Sequence, residues 1–259
     1  MKFSIVGSGN MAWFLSKKLS ESGHHFEGIS GRNIVALQEI ASHFNTIIYP
    51  SLSDIPDEEN HICFLAIKDN AISEVAGQLH FKNTILLHTS GATSIDVLQN
   101  TARHYGIFWP VYSIVKSHLP LQNDIPVSIE GNNESTEKTI LNLAQSLTGK
   151  AFHATEKQRL TLHLSAVFVN NFTNHLLAIA EDICSEQNIS FDYLKPIIQQ
   201  TFERINSHTA KSSQSGPAIR GDRATIDKHL ELLKNNTEWS GLYETLSMSI
   251  RKMYENDAQ

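Results

Sequence analysis

The chain has 259 residues, 41% of them hydrophobic and 19% charged, a composition that excludes intrinsic disorder and can bury a core. Its formal charge of −6 argues against a nucleic-acid binder, which shows a basic surplus. No apolar run approaches the roughly 20 residues of a membrane span, and the N-terminus turns glycine-rich at Gly7 before a signal-peptide core can form. Cys63 and Cys184 both lie in apolar segments, so no disulfide framework is expected and the expected compartment is the cytoplasm.

The first part of the chain alternates strand and helix signals. Residues 3–6 read as a strand and 10–21 as a helix, with Met11, Phe14, Leu15, Lys18 and Leu19 at helical spacing. Strands are expected at 26–30 and 46–49, with a helix at 34–43 between them. The apolar runs 62–67 and 84–87 read as strands, each followed by a helix, near 71–79 and from about residue 94. Further strands are expected at 107–111 and 127–129, then a helix at 136–147. Continuous apolar strands separated by helices indicate a parallel sheet covered on both faces.

Beyond residue 150 the strand signals stop. Residues 156–187 form one helical pattern free of Gly and Pro, and 191–207 a second with Pro196 near its start. A polar loop at 211–221 contains Gly216-Pro217, and helices are expected at 223–235 and 242–254. The expected fold class is α/β, a doubly wound and mostly parallel sheet, followed by a smaller all-α domain. The boundaries are 1–153 for the sheet domain and 154–259 for the helical one.

Gly7-Ser8-Gly9-Asn10-Met11-Ala12 follows the first strand and opens the first helix. This is a G-x-G-x-x-A form of the dinucleotide-binding turn, in the context that motif requires. Gly7 can take the tight turn, Gly9 lets a pyrophosphate approach the backbone, and Ala12 keeps the helix close to the sheet. The helix start offers free N–H groups and a partial positive charge.

The end of the second strand selects between NAD and NADP. A carboxylate there would bind a ribose 2′-hydroxyl. The chain has Ser30-Gly31-Arg32-Asn33 instead. Arg32 can pair with a 2′-phosphate, and Ser30 and Asn33 can donate to it, so NADP is the expected cofactor. Two more polar clusters stand where ligands sit in such sheets, beyond the strand ends. Lys68, Asp69 and Asn70 follow the strand that ends at Ile67, with Ile67, Lys68 and Asp69 as candidate cofactor contacts, and His88, Thr89 and Ser90 follow the next strand. His88 is either a proton donor or a structural histidine at a strand end. Thr89-Ser90-Gly91 can also cap the next helix.

The opening turn resembles that of pyrroline-5-carboxylate reductases. The whole chain more closely resembles a family of Rossmann-like NADP oxidoreductases with a C-terminal helical domain of unknown function. The resemblance is carried by residues 66–72, by His88-Thr89-Ser90-Gly91-Ala92, by residues 163–171 and by Gly216-Pro217-Ala218-Ile219-Arg220-Gly221-Asp222. It implies a Rossmann domain, a helical domain like that of 6-phosphogluconate dehydrogenase, and a homodimer formed through the helical domain. It supplies no substrate. The chain departs from the family pattern at Lys68, where the family has Pro, and at Trp109, where a His or Tyr precedes the Pro. Trp109 faces either a substrate or the core.

At about 100° per residue, His163, Asn170, Asn174 and Glu181 share one face of the long helix, flanked by Ala166, Val167 and Leu177. Such a stripe is a solvated face or, if buried, a hydrogen-bonded one. His163 and Asn170 are its candidate site residues. The β-hydroxyacid dehydrogenases share this architecture and carry a catalytic Lys three residues before an Asn pair. Here Val167 stands three residues before Asn170-Asn171, and a valine transfers no proton. Asp222 is a good N-cap, and Arg220 can serve a carboxylate, a phosphate or a structural ion pair. No histidine or cysteine spacing suggests a metal site.

The expected function is an NADP-dependent oxidoreductase moving a hydride between nicotinamide and a C=O or C=N bond of a small molecule in an interdomain cleft. His88 and His163 are the candidate acids. The alternatives are an imine reductase related to pyrroline-5-carboxylate reductase and a non-catalytic NADP-binding sensor or scaffold. Neither nucleic acid nor membrane is expected as a partner.

Overall fold

The structure is a computed structural model that describes residues 1–118 and 125–255. Eight strands form one sheet: β1 (Lys2–Val6), β2 (His25–Ser30), β3 (Ile47–Ile48), β4 (His61–Leu65), β5 (Phe81–His88), β6 (Ala102–Pro110), β7 (Val127–Gly131) and β8 (Ala151–His153). Their order is β3-β2-β1-β4-β5-β6-β7-β8. All neighbours pair parallel except β6 and β7. The expected strands thus form the doubly wound sheet, in a dinucleotide-binding strand order. The antiparallel β6–β7 step and the three-residue β8 are additions that the apolar runs did not announce.

Neighbouring residues on the central strands feed opposite cores. Ile5, Phe64 and Leu87 join one cluster, and Val6, Cys63, Leu65 and Leu86 join the other. Period-2 alternation with both faces apolar is what a sheet covered on both sides requires. The first core is roofed by α1 (Asn10–Glu21), α2 (Ile34–Phe44) and α4 (Glu134–Leu147), which contribute Leu15, Leu37 and Ile140.

The two helices expected after β4 and β5 are much reduced. The first is α3 (Ile72–Ala76), and the second is only a 3-10 turn, Ile95–Leu98. Local side-chain chemistry competes with helix in the second connection. Ser90 Oγ accepts from the N–H groups of Ala92 and Thr93, and Ser94 Oγ accepts from Asp96.

By packing, the chain divides into two compact units, Met1–Asn171 and Phe172–Gln259. The boundary expected at 153/154 follows the last strand. In space α5 (Glu156–Ala166) goes with the sheet, because Arg159 is buried against it. Of the expected 156–187, residues 156–186 are helical, but not as one α-helix. A π-helical segment, Val167–Phe172, separates α5 from α6 (Thr173–Glu186). A π turn holds more residues than an α turn. The single wheel grouping Asn174 and Glu181 with His163 therefore fails past residue 167.

The second unit comprises α6, α7 (Lys195–Arg204), α8 (Pro217–Arg220), α9 (Arg223–Leu232) and α10 (Thr237–Glu255). Pro196 lies in the first turn of α7, where its missing N–H is not needed. The expected loop at 211–221 contains α8, which ends at Gly221 in the left-handed region at φ 65°. Asp222 caps α9, its Oδ1 accepting from the Thr225 N–H at 3.1 Å. The last helix begins before the expected residue 242, because Asn236 Oδ1 accepts from the Trp239 N–H at 3.0 Å. Ala218 is the one buried residue among the described residues of this unit. Among the described residues, no helix is long and apolar enough to cross a membrane.

Candidate cofactor and substrate site

The glycine-rich turn expected to hold a pyrophosphate forms where β1 ends and α1 begins. Gly7 has φ 130°, and a Cβ there would lie 2.1 Å from the Ala66 carbonyl oxygen. Only glycine fits, because the conformation is left-handed and β4 passes directly behind it. Gly9 is the N-cap of α1 at φ −87°, an ordinary conformation, and a Cβ there would meet nothing within 4 Å. Its Cα therefore faces open space. No side chain caps α1, and its first turn holds no carboxylate. The leading N–H groups are left to a ligand, in a field that favours an anion. Ser8, Asn10 and Met11 stand in this turn, and Asn10 Oδ1 accepts from the Lys116 N–H at 3.2 Å.

At the end of β2 the expected phosphate contacts separate. Arg32 is exposed and joins no ion pair among the described residues. Asn33 Oδ1 caps α2 by accepting from the Ala36 N–H at 3.1 Å, and this cap does not use the side-chain NH₂. Ser30 is different: it is buried, and its hydroxyl donates to the Tyr49 carbonyl at 3.2 Å. Its backbone carbonyl takes the Gly7 N–H at 2.8 Å. Ser30 thus shapes the turn and has no hydroxyl proton left for a phosphate.

Beyond β4, Lys68 and Asp69 are exposed and Ile67 is half-buried. A Cβ on Gly7 would lie 3.2 Å from Ile67 Cγ2, so Ile67 borders the phosphate turn. Beyond β5, Thr89 donates to the Leu65 carbonyl at 3.4 Å, and Ser90 Oγ is engaged by two backbone N–H groups. Ser90 therefore shapes a turn. The capping role expected for this cluster falls to Ser94, ahead of the 3-10 turn.

His88 is fully buried at 0% exposure. Its Nδ1 accepts from the Ser90 N–H at 3.2 Å, and its Nε2 has no hydrogen-bond partner among the described residues. Burial, and then the Arg159 charge, push the imidazole down to about 4, so it is neutral near neutral pH. His163 is only half-buried. Its ring lies 5.8 Å from that of Trp109, tilted by 46°. A Cβ on Gly91 would lie 2.6 Å from Trp109 and 2.8 Å from His163. Gly91 is the gap through which the strand ends reach the helix.

An open cavity of about 770 Å³ lies here, lined by Trp109, Tyr112, His163, Val167, Asn170 and Asn171 among others. The two stripe residues His163 and Asn170 therefore meet at one cavity, Val167 forms part of its wall, and His88 is not among its lining residues. Sequence reasoning missed Arg159, and left Trp109 open between substrate and core. No local pattern marks a buried arginine on an otherwise polar helix start.

A strand order of this kind, with a glycine turn between β1 and α1, defines a dinucleotide-binding fold of the Rossmann type. The description "NADP oxidoreductase coenzyme F420-dependent" matches residues 2–90. A domain of unknown function, DUF2520, matches residues 125–250. The crystal structure of a putative NADP oxidoreductase from Bacteroides fragilis is 30% identical, covering 97% of this chain and 98% of that one, with a TM-score of 0.90. The chain belongs to this NADP oxidoreductase family. A 1-pyrroline-5-carboxylate reductase from Streptococcus pyogenes shares the fold at 20% identity, TM-score 0.61, with 97% and 98% of the two chains covered. So does an imine reductase from Myxococcus stipitatus in complex with NADP+, at 13% identity and TM-score 0.65, with 99% and 95% covered. No curated protein matches.

Proposed function

We propose that the protein reduces a C=O or C=N bond of a small molecule held in the cavity beside Trp109 and His163. Bound NADPH supplies the hydride. The N–H groups at the start of α1 hold the pyrophosphate, Arg32 pairs with the 2′-phosphate, and the Asn33 NH₂ assists it. Trp109 offers the substrate a flat apolar wall, and Asn170 orients it by hydrogen bonds. His163 donates the proton that the oxygen or nitrogen needs once the carbon has accepted the hydride. His88 takes no part as an acid, because a neutral imidazole is a very weak acid and this one is buried outside the cavity lining. The observation that carries this reading is the cavity itself, which brings His163, Asn170 and Trp109 together.

The test is NADPH oxidation against a panel of ketones, 2-keto acids and cyclic imines. His163→Gln should lower turnover roughly 10²–10⁴-fold at unchanged NADPH affinity. Unchanged turnover removes His163 as the donor. A second reading, an NADP-binding sensor, is favoured by Val167 in the cavity wall, and holds if no substrate class oxidises NADPH.

The helical unit completes itself by pairing with a second copy. Tyr193, Ile197, Phe202 and Leu232 are exposed, Leu232 by 80%, a display of apolar surface that isolated soluble proteins avoid. Light scattering should give twice the chain mass, and Ile197→Glu with Phe202→Glu should halve it. A monomeric wild type removes this reading. The expected setting is the cytoplasm.

A further inference from the structure

Arg159 has no part in the reaction as described, yet it is the largest fully buried side chain, at 1% exposure. It stands in the first turn of α5. Its Nη1 is ion-paired and hydrogen-bonded to Glu130 of β7. Its Nη2 donates to the Thr93 carbonyl, in the loop after β5, at 3.1 Å. One guanidinium thus ties a helix, a strand and a strand-end loop. Its Nε–H finds no acceptor among the described residues.

Burying such a pair takes two ions out of water, and aliphatic side chains of the same volume often stabilise as well or better. Direction is what aliphatic contacts do not supply. A planar fork held at two points fixes the rotation of its helix, whereas apolar packing tolerates slippage. His163 follows Arg159 by four residues, so the two lie on one side of α5. The His163 imidazole and the Trp109 indole lie side by side against the bare Cα of Gly91, a place that a modest rotation of α5 would take His163 out of.

We propose that Arg159, held by Glu130 and the Thr93 carbonyl, is a positioning residue that sets His163 against Trp109. This rests on the reading of His163 as proton donor, but its test does not. An imidazole in contact with an indole quenches its emission. Trp13→Phe and Trp239→Phe leave Trp109 as the single tryptophan. In that background His163→Gln should brighten the emission.

The deciding variant is Arg159→Met with Glu130→Met, which removes both charges together. Its thermal midpoint and NADPH affinity should stay close to wild type, while the brightening on His163→Gln disappears. Full brightening in the double variant overturns the proposal and leaves the ion pair merely structural. Should the double variant not fold, Arg159→Lys keeps the charge but cannot hold two points, and should give a reduced brightening; a full one overturns the proposal equally. Lost brightening with turnover unaffected upholds the positioning and instead removes His163 as donor.

Discussion

Gly9→Val separates cofactor binding from folding at the phosphate turn. Gly9 has an ordinary φ of −87°, and a Cβ there would meet no atom within 4 Å. The variant should therefore fold, losing about 1 kcal/mol at most because valine is a poorer N-cap than glycine. For a chain of this size that is about 2–4 °C in Tm. The isopropyl group would fill the space that a pyrophosphate needs over the α1 N–H groups. In the wild type, NADPH at about a hundred times its Kd adds about 2.7 kcal/mol, or roughly 5–10 °C. In Gly9→Val that gain should vanish while the ligand-free Tm stays within the range above. Gly7→Ala is the contrast: at φ 130° and 2.1 Å from the Ala66 carbonyl oxygen, its methyl group should prevent the turn from forming and cost folded protein. Differential scanning fluorimetry with and without NADPH reads all three proteins. A Gly9→Val protein that gains as much from NADPH as the wild type refutes the assignment of this turn to the cofactor.

Arg32→Ala should erase most of the preference for NADPH over NADH, because a charge-assisted contact contributes about 1.5–3 kcal/mol, or roughly 10- to 100-fold in relative Kd; calorimetric titration with both cofactors checks it, and equal wild-type affinities would remove the NADP role of Arg32. Stability should fall with acidification. Burial lowers the pKa of His61 and pushes His88 from the usual 6.5 down to about 4. In both cases the unfolded chain takes up protons first, so stability is full above about pH 6.5 and falls as the pH drops, for His88 down to about 4. His88 alone should account for about 2 kcal/mol between about pH 7.5 and pH 5. Urea midpoints across that range measure it, and a flat profile refutes the neutral, buried assignment.

The phosphate turn is legible in the sequence because its determinants are contiguous. Gly7, Gly9 and Ala12 meet their strand and helix within a few residues, and backbone sterics alone dictate which residue types can stand there. The same holds for Pro196 at a helix start and for Asp222 as a cap, where the partner group lies within one turn. The continuous apolar runs of β4 and β5 likewise announce a sheet covered on both faces, since period and hydrophobicity are properties of the segment itself.

Other features depend on which distant segments meet, and no local pattern encodes that. The antiparallel turn of β7 against β6 follows from pairing Gly106 with Gly131 and Pro110 with Val127, not from the composition of either strand. Ser30 looks like a phosphate contact until Tyr49, on the next segment, takes its hydroxyl proton. His88 and His163 look equivalent along the chain. Burial against Arg159 keeps the first neutral, and the Trp109 wall with the Cβ-less Gly91 places the second at a cavity. Residues 156–187 read as one helix because π and α turns use the same residue types, yet the π segment at Val167–Phe172 changes which side chains share a face. The chemistry of single residues is written in the sequence; their company, which sets charge, access and direction, comes only from tertiary packing.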